Sequence, residues 1–238
     1  MNPYITTELF DFLADLEAHN DRDWFQANKA RYEAVYRQPL FRFIEDIGPL
    51  VAGLSPHYHA IPSDSGGSLF RIYRDTRFSK NKTPYKTWAA IRFRHASGKD
   101  GVAPGFYFHI QPGRSMVGMG LWRGDGPALR AIREAMDADP EAWHAARDAV
   151  FGGSGKAPDS GGGETNFRWG GDSLVRAPKG YAPDHPEIED LKRKDFVAFR
   201  SMSDDEVLAP DVVPHVAQLM ERGRPLVKWL AEAVDVPF

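Results

Sequence analysis

The chain has 238 residues, 30 basic and 33 acidic side chains, 42% hydrophobic residues and no cysteine. That length can bury a sizeable core, and the missing cysteine excludes a disulfide framework, a thiol nucleophile, Cys-ligated zinc and thiolate-held iron–sulfur clusters. A net charge of −3 argues against a generic polyanion binder. The average hides a segregation: from Arg71 to Arg94 eight basic residues face one acid, Asp75, a local excess of +7 that leaves the remainder at −10. Screening over roughly 8 Å at physiological salt means that a ligand near this segment feels the local excess.

The N-terminus carries Glu8, Asp11, Asp15 and Glu17 where a secretory leader would be basic and then apolar. No run approaches the ~18 apolar residues of a membrane span, so no membrane partner is expected. The expected compartment is the cytoplasm.

Residues 1–54 read as a helical layer. Leu9, Phe12, Leu13 and Leu16 share one face after Thr6 or Thr7 as N-cap. A second helix starts near Asp21 and is expected to stop at Pro39; a third carries Leu40, Phe43, Ile44 and Ile47 and ends near Gly53. From 69 to 122 the period changes to two, predicting strands at 69–73, 88–95, 105–111 and 115–122, the last two joined at Pro112-Gly113. One face of this sheet core collects Phe70, Ile72, Ile91, Phe93, Phe106, Phe108, Ile110, Val117, Met119 and Leu121. The other collects Arg71, Tyr73, Arg92, Arg94, Tyr107, His109, Gln111 and Trp122, with Gly118 and Gly120 beside them, and a helical cover over this face is expected.

Helices return with Asp125 and Asp139 as caps. Residues 152–163 hold six glycines in twelve positions, which predicts a flexible loop. A strand at TNFRW, a helix from Pro186 with Asp184 as cap, a strand near Phe196–Phe199 and a capping box at Ser203 and Glu206 follow. The last helix, with Val213, Val216, Met220, Val227 and Leu230, is expected to kink or break at Pro225. The pattern is a single α+β domain spanning 1–238, an antiparallel sheet of four or more strands packed with helices.

Three ordered stretches are specific: FRIYRDTRFSKNKTPYKT (Phe70 to Thr87), HASGKDGVAPGFYFHIQPGRSMVGMGLW (His95 to Trp122) and RAPKGYAPDHPEIEDLKRKDFVAF (Arg176 to Phe199). They resemble a widespread uncharacterised family, domain of unknown function 2461. The resemblance implies a one-domain α+β fold and brings no reaction, substrate or cofactor. Its pattern often has His where Trp88 stands and Glu where Gln111 stands, which implies a lost or altered activity here if those residues are catalytic in relatives.

Chemistry concentrates in the basic segment. Guanidinium forks and lysines interleaved with hydroxyls can hold phosphate or carboxylate, so Arg71, Arg74, Arg77, Lys82 and Lys86, with Tyr107 and Trp122, are the candidate ligand-binding residues. The competing reading is a solvated loop in which Asp75 pairs Arg71 or Arg77. His109 and Asp75 are the candidate proton handlers, although a histidine satisfied by a buried hydrogen bond is the plainer reading of His109. Lys80-Asn81-Lys82-Thr83 lacks the glycine turn of a P-loop, and His57, His59 and His95 lack metal-ligand spacing. No metal or cofactor is expected. The expected partner is an anionic small molecule. The alternative is a non-catalytic module for single-stranded nucleic acid, with cations and aromatics on one sheet face, or for an acidic protein.

Overall fold

The computed structural model describes residues 2–63, 65–97, 102–152 and 167–238. Helix α1 (Thr7–Ala18) buries Leu9, Phe12, Leu13 and Leu16, the stripe that their spacing predicts. Helix α2 (Arg22–Ala27) is capped by Asp21, whose carboxylate accepts from the Trp24 N–H. Helix α3 (Lys29–Tyr32) continues through a π-helical stretch, Glu33–Arg37, into α4 (Gln38–Leu54). The expected break at Pro39 does not occur. A proline lacks an N–H donor and its ring meets the carbonyl four residues back; the wider π turn just before Pro39 alters that register without ending the helix. Tyr36 of this turn is fully buried.

The sheet has six strands, β1 (Tyr58–His59), β2 (Ala89–His95), β3 (Gly105–Ile110), β4 (Met116–Leu121), β5 (Phe167–Gly170) and β6 (Phe196–Ser201). Their order is β1-β2-β3-β4-β6-β5, every pair antiparallel. The fold is therefore α+β. The predicted strand at 69–73 is not regular: it contributes only bridges, Leu69 to Ile91 and Tyr73 to Tyr85. The Phe70 N–H bonds to the Ala90 carbonyl at 2.9 Å, so Phe70 aligns with Ala90 and His109. This phase moves Phe70 off the apolar face to which alternation assigns it.

The apolar face is buried from Ile91 to Leu121. Helix α5 (Gly126–Ala138) and helix α6 (Pro140–Phe151) start at Asp125 and Asp139, each of which caps as expected. Gly152 closes α6 in the left-handed conformation, and the rest of the glycine-rich stretch lies outside the described residues. Helix α7 (Ile188–Leu191) starts later than expected: Asp184 makes no cap, and the His185 ring instead accepts the Glu187 N–H at 3.0 Å. Ser203 and Glu206 form the predicted capping box of α8 (Asp204–Leu208).

The last helix, α9 (Val212–Ala233), runs unbroken past Pro225. It crosses β4 and packs beside α4 and α6. The close approach depends on Gly223, where an added Cβ would lie 1.7 Å from the Met119 sulfur. Trp143 of α6, Trp169 of β5, Phe196 of β6 and Trp229 of α9 make one aromatic cluster on the same side. Among the described residues, no helix is long and apolar enough to cross a membrane.

Across the opposite face runs one cross-strand row: Arg92, Tyr107, Gly118, Phe199 and Arg168. All but Gly118 remain half-exposed, so the expected helical cover is missing there among the described residues. Gly223→Ala is expected to lower stability by about 1–3 kcal/mol in denaturant unfolding, because the buried Met119 side chain must repack to admit the methyl group. Combined with Met119→Ala, the loss should fall short of the sum of the two single variants.

Candidate functional site

The chain from Phe70 to Trp88 leaves the sheet, turns and returns to the start of β2. Its anchor is Asn20, at the corner between α1 and α2. The Asn20 carboxamide donates to the Tyr85 carbonyl at 3.1 Å and accepts the Tyr85 N–H at 3.0 Å. The Tyr85 ring stacks on Phe25 with centroids 4.2 Å apart. Backbone bonds from Arg74 to Pro84 and from Lys86 to Ile72 tie the outgoing and returning limbs together.

An open cleft of about 530 Å³ lies between this excursion and the helical corner, lined by Glu17, Asn20, Arg74, Asp75, Asn81, Thr83, Tyr85, Lys86, Thr87 and Trp88. Of the expected ligand-binding residues, Arg74 and Lys86 line it. Arg74 donates to the Thr83 hydroxyl, which itself donates to Asn81 Oδ1 at 2.9 Å. The Lys86 ammonium donates to the Arg71 and Tyr73 carbonyls, the latter at 2.8 Å. It also stands 5.5 Å from the Trp88 ring centroid and 6.0 Å from that of Phe70. Burial, then repulsion from Arg71 and Arg74, pushes its pKa below the ordinary lysine value.

The other cations are arranged differently. Arg77 grips Asp75 through two nitrogens, at 2.7 and 3.0 Å, on the exposed outer side. That side-chain bond, with the Arg77 N–H, holds the Asp75 carboxyl at about 2. Asp75 is thus a permanent anion near neutral pH and a poor proton handler. Lys82 donates to the Thr76 carbonyl at 2.8 Å and steadies the loop. Neither Arg77 nor Lys82 lines the cleft, and the Arg71 side chain is exposed beside it.

His109 connects to the cleft through Trp88, whose ring centroid is 5.1 Å from the imidazole. His109 is 8% exposed. Its Nε2 is 3.1 Å from Gln111 Oε1 and its Nδ1 is 2.9 Å from the Tyr107 hydroxyl. With Oε1 as acceptor, Nε2–H donates and Nδ1 accepts the phenol proton, a pairing suited to the neutral ring. Burial lowers the imidazole pKa, partly opposed by the Gln111 bond, and raises the Tyr107 phenol to about 12. Trp88 and Gln111 therefore both abut His109.

Trp122 does not join this group. It follows Leu121 at the end of β4 where Gly120 pairs Gly105, whereas His109 pairs Met116. Four residues of strand separate the two ends, about 13 Å. Trp122 instead borders a second depression with Arg123, Gly124, Leu129, Gly171, Asp172, Lys194 and Asp195. Thr83, one of the interleaved hydroxyls, lines the cleft, as do Asn20 and Glu17, which sequence reasoning did not single out. Asn20 lies 65 positions from Tyr85, and neither periodicity nor a motif reports such a pairing. Among the described residues, no group of three or more His, Asp or Glu side chains is placed to hold a metal ion.

The neutral burial of His109 has a sign. The unfolded chain takes up a proton on this ring near its ordinary pKa, about 6.5, while the folded protein resists it. Stability is therefore unaffected well above that range and falls as the pH drops through and below it. In chemical denaturation, His109→Gln should flatten the loss of stability between pH 7 and pH 5; an unchanged slope assigns it to other groups.

The comparisons agree with the motif reading. No curated protein and no solved structure matches the chain. One family model does, over residues 8–229. With nearly the whole folded sequence covered, the chain belongs to the conserved hypothetical protein family DUF2461.

Proposed function

We propose that the cleft beside Trp88 binds a small phosphorylated or carboxylated molecule. One observation carries the reading: Arg71, Arg74 and Lys86 are close enough for both guanidinium groups to depress the lysine pKa, yet none forms an ion pair among the described residues. Like charges gathered without a direct ion pair are relieved when an anion arrives, against the opposing charge of Glu17 and Asp75 in the same lining. Hydroxyl and amide groups of Thr83, Asn81 and Thr87 line the same cleft and can complete a phosphate or carboxylate shell. For a ligand that exchanges a proton, His109 is the candidate handler, its ring linked to the Tyr107 hydroxyl at 2.9 Å.

Two charge-assisted hydrogen bonds contribute about 3–6 kcal/mol together, which corresponds to a dissociation constant near 1 mM for a minimal ligand. At about 10 mM inorganic phosphate the folded state should gain about 1.4 kcal/mol, raising Tm by about 3–5 °C. Arg74→Ala should retain only the small general salt effect. If phosphates, nucleotides and carboxylates all leave Tm unchanged, or Arg74→Ala responds like the wild type, the reading fails.

A second reading rests on a different surface. The row Arg92–Tyr107–Gly118–Phe199–Arg168 lies on the half-exposed sheet face, with the Arg168 guanidinium 4.5 Å from the Phe199 ring centroid. Ring faces flanked by cations suit single-stranded nucleic acid. Short labelled DNA or RNA should then bind at low salt by fluorescence anisotropy and weaken steeply as salt is added. Phe199→Ala should weaken binding by about 5- to 150-fold, the equivalent of about 1–3 kcal/mol. No binding at low salt removes this reading.

A further inference from the structure

We propose that Lys86 is a nucleophilic lysine that condenses with a small aldehyde or ketone bearing a phosphate or carboxylate group, with Arg71 and Arg74 holding the anionic end. The inference rests on the anion-cleft reading and adds to it a substrate class and a covalent role. Its first basis is position: Lys86 lines the 530 Å³ cleft and is only partly exposed.

The second basis is the inventory of its partners. Lys192 and Lys228 face Glu189 and Glu232, as surface lysines commonly do. Among the described residues, the hydrogen-bond partners of the Lys86 nitrogen are two backbone carbonyls, those of Arg71 and Tyr73. An ammonium has three N–H groups, whereas a neutral amine has two and a lone pair. Two carbonyls are fully served by the neutral amine, and the lone pair then remains for a carbonyl carbon in the cleft. The charged form gains from the Trp88 and Phe70 rings, but it must be desolvated and must stand beside two guanidinium groups.

The surrounding charges give the balance. Arg71 and Arg74 disfavour the ammonium, and burial disfavours it more. From α1, Glu17 lines the cleft and favours it; Asp75 does too, but its carboxylate is already gripped by Arg77. The Tyr85 phenol, raised by burial, is neutral near pH 7. Lysines desolvated beside other cations are the amines that form Schiff bases.

The step balances without an oxidant or reductant. Neutral Nζ attacks the carbonyl carbon and forms a C–N bond as the C=O π pair moves to oxygen. Oxygen gains one proton and nitrogen loses one to solvent, giving a carbinolamine. A second proton on the hydroxyl lets it depart as water while nitrogen loses its last proton, so amine and carbonyl compound become imine and one water.

The test uses the full wild-type chain with pyridoxal 5′-phosphate, an aldehyde carrying phosphate, and with pyridoxal, which lacks it. Adducts are trapped with borohydride after short times at pH 7 and located by peptide mass spectrometry. Lys86 should be labelled at least about fivefold faster than Lys80 or Lys82. Inorganic phosphate should slow it, and the preference for Lys86 over Lys80 and Lys82 should shrink with pyridoxal, whose internal hemiacetal slows its reaction with every lysine alike. Labelling of Lys86 no faster than Lys80 and Lys82 overturns the proposal. Calorimetric titration with phosphate separates the two readings. Phosphate binding with an unreactive Lys86 keeps the cleft and removes the nucleophile. Fast labelling by both aldehydes, indifferent to phosphate, keeps the nucleophile and removes the anion site.

Discussion

The double hydrogen bond between the Asn20 carboxamide and the Tyr85 backbone is the contact on which the rest of the site depends. A loop carrying so many like charges tends to extend away from the protein, since repulsion and conformational entropy both favour the open form. Asn20 supplies a donor and an acceptor from a helical corner, and Phe25 adds a stacked ring on Tyr85. With Tyr85 held, the next residue, Lys86, is turned under the limb that carries Arg71 and Tyr73. The neighbour after Thr87 is Trp88, whose ring faces both Lys86 and His109. One polar side chain from the N-terminal layer thus sets the cleft wall and its link to the sheet.

The sheet contributes a second constraint, which comes from its one-sided packing. Helices α4, α6 and α9 lie against the apolar face, and Gly223 lets α9 approach Met119 closely. Burial on that side stabilises the sheet at roughly 25 cal/mol per Å² of apolar surface, with no need for a second helical layer. The opposite face can therefore keep Arg92, Tyr107 and Arg168 half-exposed. His109 is the exception: Trp88 covers it while Tyr107 and Gln111 satisfy both ring nitrogens.

Much of this arrangement was legible in the residues because it follows local periodicity. The stripe of α1, the caps at Asp21, Asp125, Asp139 and Ser203, strands β2 to β4 and the apolar side from Ile91 to Leu121 all follow from spacings of two or 3.6 and from cap chemistry. Pro39 was misread because a proline rule describes an ideal α-helix, whereas a π turn before it can accommodate the ring; at Pro225 the helix does not break. Phe70 was misread because alternation gives a period but no phase once a segment is held by bridges alone. The cleft itself was half legible. Arg74 and Lys86 stood out by charge, but charge does not tell which cations are already engaged: Arg77 is paired with the Asp75 carboxylate, and Lys82 is turned onto the Thr76 carbonyl away from the cleft. Trp122 was grouped with His109 because both lie on alternating strands, while the register places them at opposite ends.

The unpaired cations around Lys86 can be relieved in two ways, and the two are linked. An anion entering between Arg71, Arg74 and Lys86 offsets their repulsion and favours the ammonium, raising the depressed pKa. Loss of the Lys86 proton removes one of the charges and favours the amine. A bare anion therefore weakens the nucleophile even where it leaves the lone pair uncovered. A substrate whose anionic group engages the guanidinium groups, with its carbonyl carbon placed at Nζ, can use both without conflict: its charge is held several bonds away and its electrophilic carbon meets the neutral nitrogen. On the proposed function, the distance between those two groups in the ligand is then the property by which the cleft would select. A cleft of about 530 Å³ leaves room for a chain of a few atoms between them.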